Sequence, residues 1–256
     1  MHHRIDHGAE NQPWLLLIHG LFGSLDNLAM LRRQLNKEFN IISIDLPDHG
    51  KSQHSEQFSF PAYAHAVIHL LSTLEITEIH LVGHSLGGKI AMQMALSQPD
   101  LITTLTVLDI APVSYEPRHE NVFKSLLSVN LTEIDDRKDA DKQMSEFVSE
   151  ASVRQFLLKS LYQDNDSGHW HWRFNLALLD RDYPLLSKGI DSEQKFSKPV
   201  LFLKGEKSDY LKASYTKQTT ELFPDSRVRV ISGVGHWLHA EKPSECAKHI
   251  RTFLLN

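Results

Sequence analysis

Ile79-His80-Leu81-Val82-Gly83-His84-Ser85-Leu86-Gly87-Gly88 runs an apolar strand into a G-x-S-x-G turn, and a helix-period stretch from Lys89 to Leu96 follows at once. Strand, sharp turn and helix in that order hold a serine hydroxyl clear of a sheet edge, and glycines on both sides let neighbouring backbone approach closely. The amide after the serine can then face a developing oxyanion. A bare G-x-S-x-G is common by chance, but this one joins a buried-strand pattern to an amphipathic helix. Ser85 is therefore the candidate nucleophile.

Outward from this turn, the first half of the chain alternates short apolar runs with helix-period segments, the pattern of a parallel sheet with crossover helices. Trp14–Ile18, Asn40–Asp45, Ile79–Gly83 and Leu105–Asp109 read as strands covered on both faces, since nearly every position is apolar. Ser24 or Asp26 can cap a helix carrying Leu28, Leu31 and Leu35, and Ser59 with Pro61 opens one carrying Tyr63, Val67, Leu70, Leu71 and Leu74. Val200–Lys204 and Arg227–Ile231 add two late strands, and a last helix starts near Pro243. The fold class expected is α/β, with a mostly parallel, doubly wound sheet built from residues 1–113 and 198–256. Residues 114–197 show helical spacing, many charges and no convincing buried strand. They interrupt the sheet where its strands end, so they are expected to lie over the site as a helical cap.

Composition narrows the function classes. The chain has 256 residues, 41% of them hydrophobic and 23% charged, with a net charge of −5 spread along its length, which points away from nucleic acid and anionic membranes. No apolar run reaches membrane-spanning length, and Met1 to His7 has no apolar leader core. The single cysteine, Cys246, fits a reducing compartment and a packing role in the last helix, and the expected location is the cytoplasm. The partner expected is a small-molecule substrate, and the chain itself a monomer or homodimer.

A serine hydroxyl needs a base, and the base an orienting acid. His236, in Ser232-Gly233-Val234-Gly235-His236-Trp237, follows the last strand and precedes the last helix, where the third member of a Ser…Asp…His order falls. His239 is the secondary candidate. Two aspartates stand at strand ends between Ser85 and His236. Asp109 closes Leu105-Thr106-Val107-Leu108-Asp109 before an apolar Ile-Ala-Pro turn, where a partly buried carboxylate needs a partner such as an imidazole N–H. Asp209, in Gly205-Glu206-Lys207-Ser208-Asp209-Tyr210, sits in a more solvated run and reads better as an exposed turn residue. His19-Gly20-Leu21-Phe22-Gly23-Ser24 follows an early strand and supplies an oxyanion donor opposite the elbow. Leu21 N–H and Leu86 N–H are the expected pair, with Phe22 N–H the alternative to the first.

With these pieces assembled, the chain resembles the serine-triad α/β-hydrolases, and within them the small YbfF-type bacterial esterases. The resemblance is carried by His19 to Leu28, Gly83 to Lys89, Asp109-Ile110-Ala111-Pro112-Val113-Ser114-Tyr115 and Gly235 to Pro243. Phe156-Leu157-Leu158-Lys159-Ser160 and Trp172-Arg173-Phe174-Asn175 are similar to that group's cap. It implies an α/β-hydrolase fold, an acid at Asp109, and a serine, Ser208, in the slot where most relatives keep an aspartate. Ser208 would then support the Asp109–His236 pair as a fourth member. It also implies hydrolysis of short- to medium-chain carboxylic esters and of acyl-CoA thioesters, with no cofactor.

Other residues carry plainer expectations. His84 is expected to pack or hydrogen-bond beneath the elbow, and with Phe22, Trp172 and Trp237 to contribute to the substrate wall. His19 and His49 are expected to fix loops. His169-Trp170-His171-Trp172 lacks the spacing of common zinc sites, and its aromatics fit an acyl pocket better. Arg118, Lys159 and Arg173 could meet a CoA phosphate or form a solvated face. The same triad also serves C–C bond hydrolases and cofactor-free perhydrolases, and a triad-bearing ligand-sensing protein is the reading from a different class.

Overall fold

In the computed structural model, which describes residues 1–255, β1 (His3–Asp6), β2 (Trp14–Ile18), β3 (Asn40–Ile44), β4 (Ile79–His84), β5 (Ile102–Leu108), β8 (Val200–Gly205) and β9 (Ser226–Ile231) form one sheet in the order β1-β3-β2-β4-β5-β8-β9. Every pair is parallel except β1 with β3. Strand alternation divides the core in two. Leu16, Ile18, Ile42, Leu81 and Val107 pack with α2 (Phe60–Thr73) and α3 (Leu86–Ser97), whereas Leu15, Leu17, Ile41, Val82 and Leu203 pack with α1 (Ala29–Leu35) and α11 (Pro243–Leu254). Helices on both faces make the sheet doubly wound. The Ser59 hydroxyl accepts the Ala62 N–H at 3.1 Å at the start of α2, with Pro61 in the first turn, so that start lies where the sequence puts it. Ser24 instead precedes a 3₁₀ turn over Leu25–Leu28, and α1 begins only at Ala29.

Two strand readings need correction. β1 was not expected: its four residues, His-Arg-Ile-Asp, form a half-exposed edge strand without an apolar run. Residues 114–197 hold α4 (Glu120–Ser128), α5 (Arg137–Met144), α6 (Ala151–Leu158), α7 (Leu176–Arg181) and α8 (Tyr183–Leu186). They also hold a small antiparallel hairpin, β6 (Leu161–Gln163) with β7 (Trp170–Trp172). Three-residue strands with polar flanks leave no periodic trace.

Connections between this inserted segment and the sheet are specific. Buried Asp48, at a left-handed φ of 63°, accepts hydrogen bonds from Tyr63 Oη (2.5 Å), Ser55 N (2.7 Å) and Asn175 Nδ2 (2.8 Å). Asp182 Oδ2 accepts the Phe58 N–H at 2.9 Å. Buried Lys89 on α3 donates to the carbonyls of Ser187 (3.4 Å) and Lys188, and the Ser160 hydroxyl donates to the Phe22 carbonyl at 3.1 Å. α9 (Thr216–Leu222) and α10 (Leu238–Glu241) complete the chain.

Candidate active site

β4 ends at His84 and α3 starts at Leu86, which leaves Ser85 alone on the turn at φ 52°, ψ −118°. A Cβ on Gly83 would lie 2.3 Å from the Gly87 carbonyl oxygen, and one on Gly87 would lie 2.3 Å from that of His19. Both positions therefore exclude any larger residue. The Ser85 N–H donates to the Leu108 carbonyl at 3.1 Å, so the turn is tied to the neighbouring strand.

Asp109 repeats this arrangement one strand along. It follows β5 at φ 53°, its N–H donates to the Leu203 carbonyl at 2.8 Å, and its side chain is fully buried. The carboxylate collects three donors. His236 Nδ1–H donates to Oδ2 at 2.7 Å, the Ser208 hydroxyl donates to the same oxygen, and the Gly205 N–H donates to Oδ1 at 3.0 Å. Ser208 Oγ in turn accepts the Tyr210 N–H at 3.2 Å, which fixes the direction of its proton. Asp209 lies apart, with a side chain 60% exposed that pairs with Arg118 at 2.6 Å and Lys212 at 3.5 Å. Those cations hold its carboxyl below the usual range, although partial burial works the other way.

Behind His236 stands a column of imidazoles. His84 lies 4.7 Å from the His236 ring and 4.2 Å from that of His239, centre to centre. Burial holds His84 well below the ordinary histidine pKa and brings His239 to about 3, with neighbouring imidazoles adding to both effects. Both stay neutral at pH 7, and His84 Nε2 is committed to the His236 carbonyl at 3.0 Å. His84 thus braces the loop while forming part of the cleft floor. His19 also stays neutral, at about 4 through burial. It donates from Nδ1 to Gly20 O at 2.7 Å and accepts the Leu46 N–H at 3.0 Å, so it fixes a loop as expected.

Ser85 opens onto two cavities. A narrow one of about 50 Å³ is walled by Leu86, Lys89, Ile110, Tyr115, Tyr183 and Leu186. A wide cleft of about 580 Å³ runs past His236 and Trp237, between Phe22 and the α6 residues Val153 and Phe156. Leu21 borders both, beside the serine. Neither the Leu21 nor the Phe22 N–H has a hydrogen-bond acceptor among the described residues, and the Leu86 N–H lies in the first turn of α3, where amides lack intrahelical partners.

Trp172 does not reach either cavity. It is 8% exposed and stacks on Phe174 at 5.4 Å and 10°, and Phe174 in turn packs on Phe22, so Trp172 belongs to the main apolar core behind the cleft wall. Of the three cations, Lys159 borders the wide cleft and Arg118 the narrow cavity, while Arg173 lies over the Tyr162 ring at 4.2 Å and lines neither. The sequence reading passed over Tyr210 and His119. The Tyr210 ring stacks on His236 at 4.1 Å, and its hydroxyl sits 3.4 Å from His119 Nε2. His119 Nδ1 lies 2.6 Å from Tyr183 Oη, and burial lowers its pKa to about 4. Tyr210 could have been flagged as the aromatic next to the Ser208 loop; His119 carries no comparable signal.

The alpha/beta hydrolase fold family matches residues 13–243. The chain is 38% identical to Esterase YbfF of Escherichia coli over 245 residues, 95% of this chain and 93% of that protein. It is 36% identical to the sn-1-specific diacylglycerol lipase ABHD11 of Xenopus laevis over 96% of this chain and 81% of the other. A solved structure described as a marine microorganism esterase superposes with a TM-score of 0.94 at 31% identity, covering 98% of both chains. Family match, close relatives and sheet order agree: the chain belongs to the α/β hydrolase fold family, as a hydrolase whose relatives include esterases and lipases.

Proposed function

We propose that the protein is a serine carboxylesterase that cleaves small acyl esters through an acyl-enzyme. The observation that carries this reading is the hydrogen bond from His236, on the loop after β9, to buried Asp109, at the end of β5, with Ser85 and His236 lining the same cleft. Ser85 Oγ attacks the acyl carbonyl while His236 Nε2 takes its proton. The amides of Leu21 and Leu86 hold the oxyanion, which in a dry site is worth several kcal/mol of barrier. Asp109 keeps Nδ1 protonated and steadies the imidazolium, and Ser208 and the Gly205 amide keep the carboxylate in place. The imidazolium then protonates the leaving oxygen, and water activated by the same histidine releases the acid.

Residues 114–197 act as the cap that excludes water. Phe22 and Trp237 contact substrate, whereas Trp172 supports the cap from within. Acyl-CoA thioesters are included in the substrate class, with Lys159 placed to meet a phosphate at the cleft. Ser85→Ala is expected to abolish p-nitrophenyl ester turnover and fluorophosphonate labelling with unchanged circular dichroism. Retained turnover would remove the mechanism. Acetyl-CoA offered in parallel tests the thioester part.

A further inference from the structure

The two cavities at Ser85 differ about tenfold in volume, and the chemistry decides which end of a substrate each one takes. In the tetrahedral intermediate the reacting carbon carries Ser85 Oγ, the oxyanion, the leaving oxygen and the acyl chain. The oxyanion points at the Leu21 and Leu86 amides. The leaving oxygen must face His236, which gives it a proton. His236 and Trp237 border only the wide cleft, so the leaving group lies there and the acyl chain points the other way, into the narrow cavity.

Resting on the esterase reading above, we infer that the substrates are esters or thioesters of two- to four-carbon acids carrying a bulky alcohol or thiol. An apolar cavity of about 150 Å³ holds a benzene ring. The 50 Å³ here then holds roughly two or three carbons beyond the carbonyl. One wall is pinned. Lys89, one helical turn past the serine, is tied to the Ser187 and Lys188 carbonyls, its ammonium 5.0 Å from the Tyr115 ring centre and 5.4 Å from that of Phe60. Leu186 and Ile110, both buried, line it further, and Glu116 and Arg118 give it a polar side. The wide cleft has room for a larger group, and its apolar side chains come from α1, α4, α6 and α10 as well as from loops.

Two substrate series on the full chain test this. With p-nitrophenol as common leaving group, kcat/KM is expected to be highest for acetate to butyrate and to fall at least ~10-fold by octanoate, the scale of discrimination a tight apolar pocket achieves. With acetate as common acyl group, exchanging methyl for naphthyl alcohol is expected to be tolerated. Leu186→Ala should raise the octanoate-to-acetate ratio ~10-fold, and Ile110→Ala serves the same purpose if the first variant fails to fold. Phe156→Ala should change the alcohol series and leave the acyl profile in place. A kcat/KM that is level or rising through octanoate overturns the inference, as does an acyl profile that responds to Phe156→Ala but to neither cavity variant. Ester turnover that is absent, or that survives Ser85→Ala, refutes the esterase reading itself and is distinguishable from both.

Discussion

Asp109 and Asp209 each stand near the end of an apolar strand; the apolar turn after Asp109 and the polar run around Asp209 favour the first, and the folded sheet separates them outright. One is buried with three donors on its carboxylate; the other is in solvent between two cations. Asp109→Asn keeps the shape but favours the wrong histidine tautomer, so kcat for p-nitrophenyl acetate is expected to fall by about 10⁴. Asp209→Asn is expected to stay within about twofold, because exposed ion pairs contribute little. Ser208→Ala removes one charge-assisted hydrogen bond and should cost about tenfold in kcat. Equal losses at positions 109 and 209 would refute the assignment. The sequence narrowed the acid to these two, and the family resemblance pointed to the first. The distinction itself is non-local: it depends on the Asp109 amide reaching Leu203 and on the Gly205 amide and Ser208 hydroxyl converging from the next strand. Tyr210 and His119 were missed for the same reason, since stacking across separate loops leaves no periodicity to read.

Elements with an apolar pattern were legible, and those that borrow stability from neighbours were not. β4 and α3 carry ten buried residues in α3 alone and announce themselves, whereas β1 and the β6–β7 hairpin exist because another segment supplies their partner. The join between insert and sheet belongs to this second kind. Asp48 is fully buried and holds its carboxyl below the usual range through Ser55, Tyr63 and Asn175, against the opposing pull of burial. Asp48→Ala strands three polar partners and should cost about 3 kcal/mol, read as a lowered urea midpoint. Asn175→Ala should cost about 2 kcal/mol, since its amide donates to Asp48 and the Ser55 carbonyl and its oxygen caps α7 at the Leu178 N–H.

At the scale of the whole molecule, buried neutral imidazoles couple stability to acid. Burial is the leading cause that brings His19 to about 4, and His49 and His239 to about 3, against an ordinary value of 6.5. The unfolded chain binds protons at these positions that the folded chain refuses. Their contribution is complete above pH 6.5 and is lost as pH falls from 6.5 toward 4 and 3, at up to ~1.4 kcal/mol per pH unit for each group. The urea midpoint is expected to drop steeply between pH 6.5 and 4, and His49→Gln to flatten that slope; an unchanged slope would count against it. No helix among the described residues is long and apolar enough to cross a membrane. The insert's ties to the sheet have a mechanical consequence. Asn175, Asp182, Ser187 and Lys188 are fastened to the sheet side, whereas over the wide cleft the insert has one hydrogen bond, from Ser160 just past α6 to the Phe22 carbonyl, and a ring contact of Phe156 with Trp237. The insert is a beam clamped at one side and pinned at the other. Bending about that pin would widen the wide mouth more than the narrow one, which would leave the protein stricter toward one end of a molecule than toward the other.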